Sequence, residues 1–528
     1  MSRSTKKAPK SQNEKRETKR RVNRTIKWII WIIQAVASAF LGFSLVRLGM
    51  LSTPMLGIAI GVLVILLVAT FFLLGIGKFY GHSQVKARHV IGGLVALLMV
   101  VNSVLAASVV NRIIGTVEEV TKPAVASTVV AVYVLKEDQA YSLSDARDYE
   151  FGFSKGYDGE HVVATLDAMS HDVLEDITSK EYENIAEMVD DLLKGESRAI
   201  LLNQAYASLL DDLEQFEGFI DKTRVIYEKS FVIQEMAVEP AKETEKTEEK
   251  EEKKDEPKPT VDKEAFIMYL SGLDTRSTYL STSRSDVNIL MTVNPSTREI
   301  LLVNTPRDYY VPISVGGGAY DKLTHCGIYG VWCSANTLSN LYGVNVDYTA
   351  QINFTGVERL VDEIGGVDVY SDVGFTTSGT GYYIDAGYNH LNGSQALAFA
   401  RERYHLAGGD NARGRNQMKV LTGVIDKISS SPSLAANYNG ILGSLSGMFT
   451  TDMEYKDIAS LVRLQLQDGS SWNINSYAVT GYGSSSRYTY SMPGWNLYVM
   501  EQNPDSVAKA RSLMDRVLAG EHISSDEL

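Results

Sequence analysis

The sequence predicts an α/β protein with three N-terminal transmembrane helices, a small α/β accessory domain, and a C-terminal layered α/β domain with a central mixed sheet. Three observations support this prediction: apolar stretches recur near the N-terminus, a charged low-complexity segment divides the remainder, and strand-like runs alternate with helical patterns. Such alternation is typical of layered α/β domains. With 528 residues, the chain is too long for one ordinary domain.

The N-terminal part combines a basic tail with three apolar stretches. Residues 1–27 carry eleven Lys or Arg and two acids, so they cannot bury enough apolar surface to fold alone, and we expect a disordered tail. The membrane region, 28–110, contains apolar stretches at 28–46, 55–77 and 90–110, each near the ~20 residues that a spanning helix needs. A cleaved signal peptide would have a single shorter apolar core.

Loop charge predicts the orientation, because Lys and Arg are retained on the cytoplasmic side of a membrane. The tail is strongly basic, the loop 78–89 holds three basic residues, and the loop 47–54 holds one. We therefore expect a multi-pass plasma-membrane protein with a cytoplasmic N-terminus and a large extracellular C-terminal region. A nucleic-acid partner is not expected, since the formal net charge of the chain is -13.

A Glu-, Lys- and Pro-rich segment at 237–260 is predicted to be a solvated linker. It separates an extracellular accessory domain at 121–236 from a catalytic domain at 261–520. The accessory domain has strand and helix patterns but no cluster of catalytic residue types, so a structural or partner-binding role is the default. In the catalytic domain, strands are predicted at 265–270, 287–293 and 299–303.

Two acids follow or begin predicted strands of the catalytic domain. Asp274 comes just after the first strand and Asp286 begins the next. A short loop between the two strands could therefore bring both carboxylates to the same edge of the sheet. Two carboxylates can share a divalent ion, and oxygen ligands suit Mg²⁺ or Mn²⁺. Each Asp alone could equally form a turn.

The stretch RERYHLAGGDNARGRNQ, residues 401–417, sets four arginines against two acids. Arg401 and Arg403 lie on one face if the chain there is extended. Guanidinium groups bind phosphate oxygens in a bidentate manner, so several that converge suit a diphosphate. A solvated helix face is the alternative. Arg307 projects from a predicted strand end, where a surface salt bridge with Asp308 is the plainer interpretation.

The two cysteines of the chain, Cys326 and Cys333, bracket the segment CGIYGVWC. On the oxidising side of a membrane a disulfide between them can persist, and we expect one; two free thiols are the alternative. A metal site at this pair is not expected without further thiols or clustered His.

Several motifs together resemble the LytR-CpsA-Psr family, both in their residues and in their order along the chain. They are SGLDTR, RSDVNILMTVNP, NTPRD, DKLTH, NFTGVERLVDEIGGVDVY and LNGSQALAFARERYHLAGGDNARGRNQ. The resemblance covers most of residues 261–427. The three spans and the small domain look like the streptococcal-type capsule-assembly members of that family.

The resemblance implies a membrane-anchored phosphotransferase that moves a glycopolymer, here expected to be capsular polysaccharide, from a polyprenyl diphosphate carrier to peptidoglycan. Capsule-assembly proteins are further expected partners. By motif match, Asp274 and Asp286 hold Mg²⁺. The implied catalytic and diphosphate-binding residues are Arg307, Arg401, Arg403 and Arg413, with Gln417 and Lys322 as further diphosphate contacts.

One departure and one alternative remain open. The family often places an arginine immediately before the glutamine, where this chain has Asn416, so it is open whether Arg415 reaches the site. Lys322 could also be an ordinary surface lysine. Instead of an enzyme, the protein could be a membrane sensor or scaffold that binds polyprenyl phosphate or diphosphate and regulates capsule or cell-wall assembly without turnover.

Overall fold

The structure is a computed structural model that describes residues 12–49, 51, 53–76, 85–121, 127–155, 158–172, 177–210, 213–216, 218–232, 261–275 and 279–528. The chain forms two compact units. One comprises Met1–Thr116 with Val462–Gln467, and the other comprises Val117–Leu461 with Asp468–Leu528. The predicted linker, 237–260, lies outside the described residues, and the predicted domain boundaries stay predictions.

The first unit contains three long helices: α1 (Gln12–Leu48), α2 (Thr53–Leu73) and α3 (Val85–Val120). Each includes a segment long and apolar enough to cross a membrane, as the sequence predicts. The helices are joined by hydrogen bonds, from Trp31 Nε1 to the Leu67 carbonyl (3.0 Å) and from Asn111 Nδ2 to Ser44 Oγ (3.1 Å). Such contacts hold spanning helices together where lipid offers no polar partner.

The basic tail differs from its expected disorder. Helix α1 already begins at Gln12 and runs without a break into the first apolar stretch. Lys, Arg, Glu and Gln are good helix formers, so a helix nucleated in the apolar stretch can propagate outward through them. Low apolar content alone therefore predicted disorder wrongly for residues 12–27.

The accessory region of the second unit is a five-stranded mixed sheet with the order β3-β2-β4-β1-β5. Its elements are β1 (Ser127–Leu135), β2 (Glu150–Phe153), α4 (Gly159–Asp172), β3 (Thr178–Glu181), α5 (Ile185–Lys194), β4 (Ala199–Asn203), α6 (Gln204–Leu210), α7 (Phe219–Lys222) and β5 (Thr223–Val232). Val132 and Tyr133 on β1 pack into separate cores on the two faces of the sheet, as expected for side chains that alternate along a strand.

The C-terminal region is organised around a six-stranded mixed sheet with the order β16-β11-β6-β7-β8-β17. Its strands are β6 (Phe266–Leu273), β7 (Ser285–Asn294), β8 (Glu299–Asn304), β9 (Tyr310–Pro312), β10 (Tyr320–Lys322), β11 (Tyr348–Asn353), β12 (Val367–Ser371), β13 (Phe375–Thr376), β14 (Tyr383–Ile384), β15 (Gly387–Leu391), β16 (Phe449–Thr451), β17 (Asn473–Ala478), β18 (Gly481–Tyr488) and β19 (Asn496–Gln502). Its helices are α8 (Val331–Tyr342), α9 (Phe354–Glu363), α10 (Gly393–Arg401), α11 (Gly409–Ser430), α12 (Pro432–Ala436), α13 (Tyr438–Ser444), α14 (Tyr455–Asp468) and α15 (Pro504–Leu518).

Both faces of this sheet are covered, which makes the domain layered as predicted. On β6, Ile267 and Tyr269 pack into a core that includes residues of α8 and α15. Their neighbours Phe266 and Met268 point to the opposite face and pack with Met418 of α11. The period of two along the strand thus divides the domain into layers. The α11 side also carries the functional site described below.

The accessory and C-terminal regions share a core. Ile328, Met492 and Leu497 from the C-terminal region pack with buried residues of α5 and α6. At the start of β1, the Ser127 carbonyl accepts hydrogen bonds from the Thr282 N–H (3.0 Å) and Oγ1 (3.4 Å). The accessory region is therefore continuous with the loop that precedes β7.

The two cysteines are free and buried in the structure, so the expected disulfide is not formed in it. Cys326 lies in a 3₁₀ helix (Leu323–Tyr329) and Cys333 lies in the first turn of α8. Both pack in the core with the apolar side chains of the sheet, and the Cys326 thiol lies 3.5 Å from Thr337 Oγ1. A thiol behaves in such a core as a small hydrophobic side chain, and this packing needs no covalent bridge.

Candidate active site

A cavity of about 930 Å³ lies between the sheet and helices α9, α10 and α11. Its interior is largely apolar on both sides. The sheet side contributes Leu270, Val287, Ile289, Ala350 and Ile352, and the helix side contributes Val357, Leu360, Val361, Leu397, Val420, Leu421 and Val424. A ligand with a long apolar part can be buried there.

The polar residues of the cavity include most of those singled out from the sequence. The predicted residues that line it are Asp274, Asp286, Arg307, Arg401, Arg403, Arg413 and Gln417. They come from strand ends of the sheet, from the end of α10 and from the first turns of α11. The structure thus brings together residues up to 143 positions apart in sequence, from Asp274 to Gln417. Their functional roles stay predictions.

The two predicted metal-binding aspartates each contact an arginine. Asp274 Oδ2 accepts a 2.7 Å hydrogen bond from Arg284 Nη2, and Asp286 Oδ1 accepts one of 2.7 Å from Arg307 Nη1. Both arginines are buried, with side chains only 9% and 8% exposed. Because an unpaired buried charge is costly, these ion pairs stabilise the arginines at the cavity wall.

Asp274 and Asp286 supply carboxylate oxygens, which are ligands of the kind that Mg²⁺ prefers, and each carboxylate is paired with an arginine. Among the described residues, no group of three or more His, Cys, Asp and Glu side chains could hold a metal. Asp274 and Asp286 therefore offer carboxylate oxygens without a complete cage. Mg²⁺ is usually held in this way, by one or two carboxylates while water and phosphate oxygens supply its other ligands.

Arg401 and Arg403 both line the cavity, as their spacing predicts for an extended segment. The residue between them, Glu402, is extended at φ -66° and ψ 132°. Its buried carboxylate accepts hydrogen bonds from the N–H groups of Tyr404 (2.9 Å) and His405 (3.0 Å). Although burial alone would raise the pKa of Glu402, backbone hydrogen bonds outweigh it and lower that pKa. The charged Glu402 thus fixes the loop that carries the two arginines.

Helix α11 brings Arg413 to the end of β8. A Cβ atom at Gly414 would clash with the amide group of the buried Asn304 side chain, so a larger residue there would require that side chain to move. The neighbouring Asn416 donates from Nδ2 to the Phe399 carbonyl (3.1 Å) and ties α11 to α10. Arg415 is exposed and does not line the cavity, which answers the open question about its reach.

A second group of charges lies next to Arg307 and Arg413. Lys322 Nζ and Asp308 Oδ1 are 3.3 Å apart, and Arg413 Nη2 and Asp410 Oδ1 are 2.5 Å apart. Lys322 is 4% exposed, so it is not an ordinary surface lysine. It does not line the cavity itself and contacts the site through Asp308.

Asp410 is an acid whose ionisation the site perturbs. Burial raises the pKa of this carboxyl, and the carboxylates of Asp308 and Asp286 raise it further, while Arg413 and Arg307 act in the opposite direction. Burial and like charges disfavour the ionised form of an acid. Asp410 therefore binds a proton more readily than an ordinary aspartate.

The model of the LytR_cpsA_psr family matches residues 231–505. This is more than half of the chain. The chain belongs to the LytR-CpsA-Psr family. The match includes all of the candidate site residues, and it agrees with the order of motifs in the sequence.

Named relatives of this LytR-CpsA-Psr protein are transferases. The polyisoprenyl-teichoic acid–peptidoglycan teichoic acid transferase TagU of Enterococcus faecalis is 34% identical over 202 residues, which are 38% of this chain and 65% of TagU. The corresponding TagT of Bacillus subtilis is 32% identical over 231 residues, 42% of this chain and 69% of TagT. The chain thus spans just under two thirds of the length of the Enterococcus relative.

Among solved structures, the crystal structure of B. subtilis TagV is similar to this LytR-CpsA-Psr protein. The two are 25% identical, with a TM-score of 0.41, and the match covers 49% of this chain and 98% of the TagV chain.

Sequence reasoning missed Arg284 and Thr324 as parts of the site. Arg284 is bonded to Asp274, and Thr324 Oγ1 donates to Asp286 Oδ1 at 3.3 Å. Both residues lie inside the quoted motifs RSDVNILMTVNP and DKLTH. The available signal was their sequence position, because Arg284 lies two residues before Asp286 and Thr324 lies two residues after Lys322. A single Arg or Thr does not by itself indicate a functional site.

We expect the Gly414→Ala substitution to destabilise this LytR-CpsA-Psr domain by about 1–3 kcal/mol, because overpacking forces backbone shifts of this cost. The added methyl group would push α11 from Asn304. Denaturant unfolding of the full chain in detergent checks this. The double variant Gly414→Ala with Asn304→Ala removes the clashing oxygen and should regain most of the loss; an equally unstable double variant would contradict the steric explanation.

Proposed function

We propose that this protein is a membrane-anchored extracellular phosphotransferase. It transfers a glycopolymer from a polyprenyl diphosphate carrier to peptidoglycan through a phosphodiester. One observation carries the proposal: a single cavity has an apolar interior and a cluster of arginines and aspartates among its lining residues. A polyprenyl diphosphate has the same two parts, a long hydrocarbon chain and a doubly charged head group. The names of the relatives from E. faecalis and B. subtilis agree with a polyisoprenyl carrier and a peptidoglycan acceptor.

The polymer in this proposal is capsular polysaccharide. The support is the resemblance of the motifs, the three spans and the small domain to the streptococcal-type capsule-assembly members of the family. The named relatives act on teichoic acid instead. Transfer assays with capsular and teichoic acid donors side by side distinguish the two, and a preference for the teichoic acid donor would contradict the capsule assignment.

In the proposed donor complex, the polyprenyl chain occupies the apolar interior and the diphosphate contacts the arginines. Arg401 is exposed, and its guanidinium lies 4.4 Å from the ring centroid of Phe354, which leaves its donors available to a ligand. Arg403 donates to the Tyr404 hydroxyl at 2.6 Å. Several guanidinium groups around one diphosphate neutralise its charge and fix its orientation.

Asp274 and Asp286 would hold Mg²⁺ in this complex. When bound, the ion would neutralise charge on the diphosphate and make its phosphorus more electrophilic. Binding of the metal can be tested without turnover, because Mg²⁺ should raise the melting temperature of the protein only when the aspartates are intact. No Mg²⁺-dependent shift in the wild-type protein would contradict this assignment.

The reaction is a displacement at phosphorus. A sugar hydroxyl of peptidoglycan forms a bond to the phosphorus that carries the polymer. The bond from this phosphorus to the bridging oxygen breaks, and polyprenyl phosphate leaves with the electron pair. Negative charge grows on the leaving and equatorial oxygens, where fixed guanidinium groups stabilise it most effectively.

Asp410 is the proposed acceptor of the hydroxyl proton. It lies beside Arg413 at the site, and its raised pKa makes its carboxylate a better base than an ordinary aspartate. The proton leaves the attacking hydroxyl as the new bond to phosphorus forms.

The proposed placement is outside the cell. The support is the distribution of Lys and Arg around three spanning segments, with the basic tail on the cytoplasmic side. Cysteine labelling with a reagent that does not cross membranes tests this arrangement. A residue introduced in the C-terminal region that reacts only after cell lysis would contradict it.

We expect Arg401→Ala to reduce the transfer rate by about 10²–10³, the usual effect of removing one donor to a developing oxyanion. Because Arg401 is exposed, its removal should change the free energy of unfolding by less than about 0.5 kcal/mol. The matched control is Arg415→Ala, which removes an exposed arginine of the same stretch outside the cavity and should leave the rate unchanged. Rates are measured with the purified full chain and a short polyprenyl diphosphate-linked oligosaccharide.

The same assay separates the enzyme from the sensor or scaffold. A scaffold would bind the donor in an Arg401-dependent manner but form no linked product at any enzyme concentration. Equal transfer by the wild-type and Arg401→Ala proteins would contradict the proposed site.

The transfer rate should depend on pH through Asp410. Its carboxylate is ionised above a raised pKa, so activity should fall as the pH decreases through a range above that of an ordinary aspartate. Stability follows the opposite sign, since a raised pKa stabilises the folded state at low pH and this contribution is lost as the pH rises. The charged groups around Asp410 are Asp286, Arg307, Asp308 and Arg413.

The pH dependence is measured as initial rate against pH for the wild-type and Asp410→Asn proteins. The variant should be slower and should lack the acidic decline. An acidic decline of unchanged position in Asp410→Asn would contradict the assignment.

A further inference from the structure

The hairpin β18–β19 borders the site on the side of Asp308. The N–H of Met500 on β19 donates to the Asp308 carbonyl at 2.7 Å, and Tyr309 forms a β-bridge with Met500. Strand β19 therefore lies directly beside the segment that follows Arg307. None of the roles proposed above uses this hairpin.

Two exposed tyrosines share one face of the hairpin. Tyr498 lies two residues before Met500, and Tyr488 pairs with Asn496, so Tyr488 and Tyr498 are diagonal neighbours on the same side. Their exposed fractions are 65% for Tyr488 and 50% for Tyr498. Exposed aromatic rings that are neighbours on one face of a sheet form an apolar patch, and such patches often mark binding sites.

The position of Tyr498 is fixed by a glycine across the strand pair. The Tyr498 hydroxyl lies 3.0 Å from the place where a Cβ of Gly483 would be. The ring therefore lies over Gly483, and a side chain there would displace it. At the other end of this face, the Tyr310 hydroxyl donates to the Tyr488 carbonyl at 2.8 Å and holds the end of β18.

Tyr498 lies on the strand that is hydrogen-bonded to Asp308, one of the acids next to the site. Partial burial raises the pKa of Tyr498, and the carboxylates of Asp308 and Asp410 raise it further. The backbone agrees with this direction, because the N–H of Met500, two residues after Tyr498, donates to the Asp308 carbonyl. Neither acid lines the apolar cavity. Tyr498 therefore lies two residues from the strand contact with Asp308 and outside the lining of the cavity.

The chemistry of the proposed transfer needs a second binding region there. The attacking and leaving oxygens of a phosphoryl transfer lie roughly in line on opposite sides of phosphorus. The leaving polyprenyl phosphate occupies the cavity side. The attacking hydroxyl is consequently expected outside the apolar cavity, on the side of Asp308 and Asp410, which do not line it.

We propose that Tyr498 and Tyr488 form an acceptor subsite that binds a glycan strand of peptidoglycan by stacking on its sugar rings. A pyranose ring has an apolar C–H face and a polar rim, and tyrosine offers an apolar ring with a hydroxyl at its edge. The hairpin has no excess of charge on this face, which suits an uncharged sugar backbone. This inference rests on the proposed function and adds the acceptor site to it.

The experiment measures transfer by the full chain with the donor and a soluble, uncrosslinked glycan strand varied independently. Tyr498→Ala should raise the KM for the glycan about three- to tenfold, the range expected for the loss of one aromatic stacking contact. The KM for the donor should stay within about twofold of wild type. Tyr498→Phe keeps the ring and should retain most of the affinity for the glycan.

Tyr482 provides the matched control. It lies on the same hairpin and is 62% exposed, but it pairs with Glu501 and so projects from the opposite face. Tyr482→Ala should leave both KM values unchanged. An unchanged glycan KM in Tyr498→Ala, or an equal rise in Tyr482→Ala, would overturn the proposal. A rise in the donor KM instead would show that the face binds the transferred polymer and would also overturn it.

Direct binding keeps this inference separate from the proposed function. If the wild-type protein forms no product, calorimetric titration of the full chain with the glycan strand still decides the matter. Binding that Tyr498→Ala weakens and Tyr482→Ala does not would support the subsite even though the transfer had failed. No binding by the wild-type protein would overturn the subsite.

Discussion

Guanidinium–carboxylate pairing at one edge of the central sheet is the interaction on which the site depends. Three buried or half-buried pairs hold arginines in place: Arg284 with Asp274, Arg307 with Asp286, and Arg413 with Asp410. Buried charges are costly without partners, so each carboxylate stabilises an arginine that would otherwise turn to solvent. In the proposed donor complex, the diphosphate would compete with these acids for the guanidinium groups of Arg307 and Arg413.

The central sheet separates the inner core of the domain from the cavity. Along β6 and β7, alternate side chains face either the inner core or the cavity, so the same strands that stabilise the domain also provide an apolar wall. Charged residues gather where these strands end and loops begin, and there the buried arginines are paired with aspartates. The close approach of α11 at Gly414 then closes the cavity from the other side.

The sequence predicted much of this arrangement and failed at particular points. Strands β6, β7 and β8 and the shared location of Asp274, Asp286 and the arginines follow from strand patterns and motif order. The disulfide did not follow, because spacing and compartment say nothing about whether two thiols pack as core side chains. Arg284 was missed because its role depends on its ion pair with Asp274, which the sequence alone does not show.

The sequence alone determined the spanning helices, the alternating pattern of the sheet and the family of the chain. These depend on local hydrophobicity and on residue order, and both can be read along the chain. Only the tertiary structure decided which acid pairs with which arginine, that Arg415 faces solvent, and that the strand of Tyr498 is hydrogen-bonded to Asp308. Contacts between residues distant in sequence depend on how whole elements pack. A shift of a few ångströms then decides whether a side chain lies in the site or in solvent.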